Sequence, residues 1–207
     1  MQGLFITFEG TEGSGKSTQA KRLYKWLCSL KYPCLFTHEP GGEEVSERIR
    51  KILLDRRMEI IPIAELFLYL AARAQHTTKV IRPALLQGKI VISDRFFDAT
   101  MSYQGEGRGI PKKIIKEMNN FATGGLIPDI TIIVDIPPEE GLLRLKGKTR
   151  DRIEAEDKEF HNRVRGGYLK IARENPQRVK VVDGRKPPDV IEEEIRKLVQ
   201  PLIRRFK

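Results

Sequence analysis

Cysteine is scarce in this chain. Cys28 and Cys34 are the only two among 207 residues, which excludes a disulfide framework or a multi-cysteine metal cluster and fits a reducing, cytoplasmic address. Long apolar runs are missing too: none approaches the roughly 20 residues that cross a bilayer, so an integral helical membrane protein is excluded. The opening residues, Met1 to Glu9, carry no basic leader and no small-residue cleavage site, so export is not expected. No Ser/Gly-rich linker and no internal repeat divides the chain. The guanine-reading tetrapeptide Asn-Lys-x-Asp is also absent.

What is present is a composition of 40% hydrophobic and 32% charged residues with a formal charge of +10. At roughly 100–200 residues per domain, the length predicts one globular domain, residues 1–207, with a sizeable core. The positive charge is uneven. Residues 141–207 hold 19 Lys and Arg against 11 Asp and Glu. Such a lobe attracts polyanions, either nucleic acid or the phosphates of a small nucleotide.

Apolar β-rich segments alternate with helical ones. Strands are expected at Leu4–Phe8, Cys34–Thr37, Ile90–Ile92, Ile130–Val134 and Val179–Val182, the fourth being a continuous apolar run of the kind buried on both faces. Helices are expected over Ser17–Leu30, Glu43–Leu54 and Pro62–Leu86, the last bent near Pro83 and stopped by Gly88. Others start at Pro111, running to about Ala122, and at Pro138. After a charged stretch at 144–152, a further helix runs to about Glu174, and the last begins at Pro188. Five strands separated by helices predict an α/β domain with a parallel sheet covered on both faces.

Gly10-Thr11-Glu12-Gly13-Ser14-Gly15-Lys16-Ser17, followed by Thr18, is the eight-residue phosphate-loop pattern, and it stands between a strand and a helix as that pattern requires. The glycines let the backbone wrap a phosphate and aim its N–H groups inward. The start of the following helix adds partial positive charge. Lys16 supplies a point charge for the β- and γ-phosphates, and the Ser17 hydroxyl can hold Mg²⁺. The chain is therefore expected to bind a nucleoside triphosphate. Asp94 and Asp135 end apolar strands and either could serve the metal; Asp94 is followed at once by Arg95, which sets a cation for phosphate beside it.

Phe8 to Lys16, Glu39-Pro40-Gly41-Gly42, Ala71-Ala72-Arg73-Ala74-Gln75, Asp94-Arg95-Phe96, Tyr103-Gln104-Gly105 and Asp151-Arg152-Ile153-Glu154 resemble, in order and spacing over essentially the whole chain, the thymidylate kinases. The resemblance implies a three-layer nucleoside-monophosphate-kinase fold with a short lid at about 144–152, and the reaction ATP + dTMP giving ADP + dTDP with Mg²⁺. It further implies a homodimer with no specific nucleic-acid partner. It assigns Arg95, with Arg50, to the acceptor phosphate, and Glu12 to the sugar 3′-hydroxyl or a metal-bound water. Tyr69 and Arg73, four apart on one helix face, would stack on and hydrogen-bond the base. Thr100 and Gln104 would touch the base edge, and Tyr103 would crowd a ribose 2′-hydroxyl. The phosphate loop carries Glu12 and no Arg, which matches the bacterial type that works with a lid cation. Lys148 or Arg150 fills that role, and the bidentate fork of arginine favours Arg150. Asp94 with Ser17 is the expected metal set, and the adenine contacts near Gly184 and Arg185 stay open. A P-loop kinase acting on a different monophosphate or on a nucleoside is the rival within enzymes. His76 and His161 are expected as surface or satisfied histidines, since transfer to a phosphate needs no general base.

Overall fold

The computed structural model describes residues 3–147 and 149–204. Its centre is a five-stranded, wholly parallel sheet of β1 (Leu4–Glu9), β2 (Cys34–His38), β3 (Ile90–Asp94), β4 (Ile130–Asp135) and β5 (Val179–Asp183), in the order β2-β3-β1-β4-β5. The expected strands are all present, most extended by a residue or two at the carboxyl end. Every residue of β1 is buried, as is nearly all of β3 and β4. That explains why they read as apolar runs without alternation.

The two faces of the sheet still divide by the strand period of two. Leu4, Ile6 and Phe8 point to the layer of α1 (Lys16–Ser29) and α9 (Pro188–Ile203), where Ala20, Leu23, Leu27, Ile191 and Ile195 complete the main core. Phe5 and Val91 point to the opposite face, against Ala84 and Leu85 of α4 (Arg82–Leu86) and Phe96. Ile133 joins Val164, Tyr168 and Ile171 of α8 (Lys158–Glu174) on that side. An outer group, α2 (Glu44–Leu54), α3 (Pro62–His76) and α6 (Lys112–Thr123), lies beyond; α3 and α6 meet through Leu66, Leu70, Ile115 and Met118. No helix among the described residues is long and apolar enough to cross a membrane.

Two expectations change. The helix expected over 62–86 is α3 and α4 joined by a π turn, Thr77–Ile81, in which the Arg82 N–H bonds the Thr77 carbonyl five residues back. Pro83 supplies the reason: it has no N–H to give to the carbonyl four residues earlier, and the wider turn absorbs the mismatch. Residues 97–107, left unassigned by periodicity, form α5 (Phe97–Thr100) and a second π segment, Met101–Gly107, closed by Arg108 N–H on the Tyr103 carbonyl. α7 (Pro138–Arg144) and α8 flank the charged stretch, with Asp157 capping α8 by accepting from Phe160 N at 2.6 Å.

Candidate active site

All five strands end at one rim, and each ends in a titratable side chain: Glu9, His38, Asp94, Asp135 and Asp183. Parallel pairing sets Asp94 opposite both Phe8 and His38, and Asp135 opposite Asp183. Outside this rim opens a cleft of about 670 Å³, at the carboxyl ends of the strands where open α/β sheets bind ligands.

One wall is the loop from Gly10 to Ser17, with Thr18 exposed at its edge. Gly15 caps α1 with φ 94°, and a Cβ placed there would meet only open space. The loop therefore keeps a cradle on the cleft side, while α1 presents a first turn free of acidic residues. Gly13 packs so closely on Gly141 of α7 that a Cβ on either would strike the other's loop backbone at 2.1–2.2 Å. Lys16 folds back over the loop and donates to the Thr11 carbonyl at 3.2 Å. Burial, then the Arg95 charge, pushes its ammonium below the ordinary range, against Glu12, Asp94 and Glu9. The hydroxyls of Thr11 and Ser14 are buried without partners among the described residues.

Arg95 stands at the centre. It follows β3 with φ 76°, a left-handed conformation that costs a non-glycine residue about 1–3 kcal/mol and collects at functional sites. Its guanidinium donates to Glu12 Oε1 at 2.8 Å, to the Tyr168 hydroxyl at 3.0 Å and to the Tyr103 hydroxyl at 3.1 Å. Tyr103 in turn donates to Glu12 at 2.5 Å, and Tyr168 to Glu9 at 2.8 Å. Burial would raise the Glu12 carboxyl, but the nearby His161 imidazole, Arg95, Lys16 and Tyr103 outweigh it and hold the group below the usual carboxylate range. Glu9 is the opposite case. Burial dominates and pushes it up to about 7 despite Arg95.

The acceptor side is built from α3, α5 and the second π segment. Tyr69, Arg73, Thr100, Tyr103 and Gln104 line the same cleft as Lys16 and Arg95, and Arg50 closes one edge with Nη1 donating to the Pro40 carbonyl at 2.8 Å. Arg73 is almost fully buried. Its Nε donates to Glu39, Nη1 to Thr100 and Asn119, and Nη2 to the Phe96 carbonyl, which leaves one of its five N–H groups open. His76 braces Glu39 from behind at 3.1 Å and meets the Thr37 hydroxyl at 2.6 Å. His76 is thus a satisfied core histidine. His161 is equally buried, 3.5 Å from Glu12, with Nε2 unpartnered among the described residues.

The two strand-end aspartates separate cleanly. Asp135 is taken by Arg165 in two bonds of 2.8 Å, so it does not serve a metal. Asp94 lines the cleft with a buried Oδ1 that has no partner among the described residues, and Ser17 lines the same cleft. No group of three or more His, Cys, Asp or Glu that could cage an ion occurs among the described residues. One carboxylate and one hydroxyl are the protein share expected for Mg²⁺, which keeps waters and takes phosphate oxygens. The residues present therefore fit that ion.

Of the expected lid cations, Lys148 lies outside the described residues, and Arg150 is exposed and does not wall the cleft. Arg144 does. It donates to the carbonyls of Gly13 at 3.3 Å and Gly184 at 3.1 Å. The sequence did not mark it: Gly141 and Arg144 are three apart and share a helix face, but only the fold presses Gly141 on the phosphate loop. Arg185 is turned to Asp183 by two side-chain bonds of 2.9 Å. Glu65, one turn before Tyr69 on the same stripe of α3, was not singled out either.

A family model described as thymidylate kinase matches residues 8–195. A thymidylate kinase of Carboxydothermus hydrogenoformans is 49% identical over 98% of this chain and 99% of its own length. One from Caldanaerobacter subterraneus is 44% identical over the whole of both chains. The crystal structure of thymidylate kinase from Ehrlichia chaffeensis superposes with a TM-score of 0.80 at 35% identity, covering 97% of this chain and 99% of that one. Sheet order, phosphate loop and full-length similarity agree: the fold is that of the P-loop nucleoside monophosphate kinases, and the chain belongs to the thymidylate kinase family.

Proposed function

We propose that the protein transfers the terminal phosphoryl group of ATP to dTMP, giving ADP and dTDP. The observation that carries this reading is the continuity of the cleft: the phosphate loop and the Tyr69–Arg73–Gln104 wall enclose one volume, with Arg95 between them. Two anionic ligands meeting there repel, by about 4 kcal/mol per pair of unit charges 4 Å apart at an effective dielectric of 20. Lys16 and the N–H groups of the loop hold the donor, and Arg95 with Arg50 holds the acceptor phosphate in line. Tyr69 packs on the base, and the free N–H of Arg73 donates to a base carbonyl. Glu12, fixed by Arg95 and Tyr103, takes the sugar 3′-hydroxyl, and Tyr103 narrows the space beside the sugar. Mg²⁺, when bound at Asp94 and Ser17, supplies charge neutralisation across the donor phosphates. A cation of the 144–152 stretch, Lys148 or Arg150, serves the transferring group when that stretch closes over the donor phosphates, and Arg144 supports the loop.

Part of the positive charge of the basic carboxyl-terminal third is paired within the protein. Arg165 pairs with Asp135, Arg178 with Asp98, Lys186 with Glu194, Arg196 with Glu192 and Lys197 with Glu193. That pairing favours a nucleotide over a nucleic acid as the anion bound. Phe67 on α3 and Phe121 on α6 are 55% and 91% exposed, with Ile63 and Ile114 beside them in sequence register. A patch of this kind fits a second copy of the chain. The address is cytoplasmic, where both free cysteines stay reduced.

Product analysis with ATP, Mg²⁺ and a panel of monophosphates tests the reaction. dTMP should be the best acceptor and dUMP poorer by about 10–200-fold, since one methyl in a fitted pocket is worth about 1–3 kcal/mol; EDTA should abolish transfer. Equal turnover of dUMP and dTMP would remove the thymine pocket. Arg95→Ala should lower kcat by roughly 10²–10³-fold with ATP affinity nearly intact. A collapse of ATP affinity with dTMP affinity unchanged would put Arg95 on the wrong side. Light scattering at micromolar concentration should give twice the chain mass, and Phe121→Lys should lower it; a wild-type monomer refutes the dimer. Cell fractionation should recover the activity with the soluble cytoplasmic proteins and none with membranes.

A further inference from the structure

Glu65 is completely buried, yet it accepts three hydrogen bonds from the second π segment and its cap and makes a further ion pair with a separate segment. Arg108 donates from Nε to Oε1 at 3.2 Å and from Nη2 to Oε2 at 3.0 Å. Arg152, from the Asp151–Glu154 segment, brings Nη2 to 2.7 Å from Oε2, off the line of its N–H bonds. Gln104 donates from Nε2 to Oε1 at 2.7 Å. Burial alone would favour the neutral acid, but Arg108, Gln104 and Arg152 outweigh it and hold the carboxyl below its ordinary range.

An ionised carboxylate has no proton to give, so an amide facing it must turn its NH₂ toward it. The oxygen of that amide then points the other way. Gln104 is a wall of the cleft, and its Oε1 accepts no hydrogen bond from any described residue. The π segment that carries Gln104 brings it beside Thr100 and Tyr103 on the same wall.

We infer that Glu65 is a positioning residue for base selectivity: it locks the Gln104 amide so that a carbonyl oxygen faces the base of the acceptor nucleotide. The inference rests on the reading that the Tyr69–Arg73 end of the cleft holds that base. A base with an N–H at the middle of its pairing edge, as thymine has, satisfies the oxygen. A base with a lone pair there, as cytosine has, sets acceptor against acceptor. Pockets built on such polar pairing reject the mismatched partner far more strongly than a missing methyl. Arg108 and Arg152 act one step back, by keeping Glu65 charged and therefore unable to donate.

The test compares wild type, Glu65→Gln, Gln104→Leu and the double variant. Each is read by kcat/KM for dTMP and by the inhibition constant of dCMP as its competitor. A glutamine at 65 can donate, which frees the Gln104 amide to turn over. The preference for dTMP over dCMP should fall by about 10-fold or more in Glu65→Gln. Partial unfolding cancels in this ratio, because both ligands are measured on the same preparation. Gln104→Leu leaves the arginine contacts of Glu65 in place; it should lose the preference likewise, and the double variant should lose no more. Lower activity in Glu65→Gln with the ratio unchanged makes Glu65 merely structural and overturns the inference. So does a ratio that falls in Gln104→Leu alone. A wild type that does not phosphorylate dTMP fails the underlying functional reading instead, and takes the inference with it.

Discussion

The site depends on keeping several cations close together before any phosphate arrives to neutralise them. Lys16 and Arg95 both face the cleft, and burial first, then the Arg95 charge, pulls the Lys16 ammonium below its ordinary range. Glu12 supplies a countercharge within the protein. It accepts from Arg95 and from Tyr103, and so holds the guanidinium at the middle of the cleft. The left-handed backbone at Arg95 fits this arrangement, since its N–H bonds the Phe8 carbonyl while the side chain turns toward the phosphate loop. Strain of this kind persists only where the surroundings over-determine it. Here they do, through Glu12, Tyr103, Tyr168 and the end of β1.

Glu9 and Glu12 show how one element hands similar groups different chemistry. Three residues apart, both are buried at the end of β1. Glu9 lies behind the cleft, bonded by Phe96 N–H and the Tyr168 hydroxyl, and desolvation dominates. Glu12 lies where Arg95, Lys16 and His161 converge, and the charges dominate. Neighbouring carboxyls pushed in opposite directions place the charged one at the cleft and the more easily protonated one behind it.

Much of the frame was legible because its signals are local. The phosphate loop is contiguous, and β1, β3 and β4 are apolar runs of strand length. Residues 97–107 were not legible as a helix, because Gly105, Gly107 and a π turn break the 3.6-residue period on which helix reading rests. Thr100, Tyr103 and Gln104 were reached only through the family resemblance. The partners that fix each site residue were out of reach for another reason: Glu12 and Arg95 are 83 residues apart, Arg73 and Asn119 46. In the charged run at 144–152 the bidentate fork favoured Arg150 over Lys148, and nothing in the run marked Arg144. Which of them rests on the phosphate loop is set by the backbone contact of Gly141 with Glu12, and that contact leaves only a glycine in the sequence.

α3 carries the acceptor site on a stripe that also contains ordinary core. Leu66 and Leu70 pack toward α6, while Tyr69 and Arg73 line the cleft and Glu65, one turn earlier on the same stripe, lies behind Gln104. Burying Glu65 and Arg73 on one helix face would be prohibitive if each had a single partner, because breaking or leaving unpaired a buried charge costs several kcal/mol. Each is instead surrounded by partners from different segments: Arg73 by Glu39, Thr100, Asn119 and the Phe96 carbonyl, Glu65 by Gln104, Arg108 and Arg152. Most donors and acceptors on that stripe are thus consumed internally. What remains open to the cleft is small and directional: one N–H of Arg73, the Thr100 hydroxyl proton and the oxygen of Gln104. A base is read by those few groups, and the buried charges behind them are what keep them pointing one way.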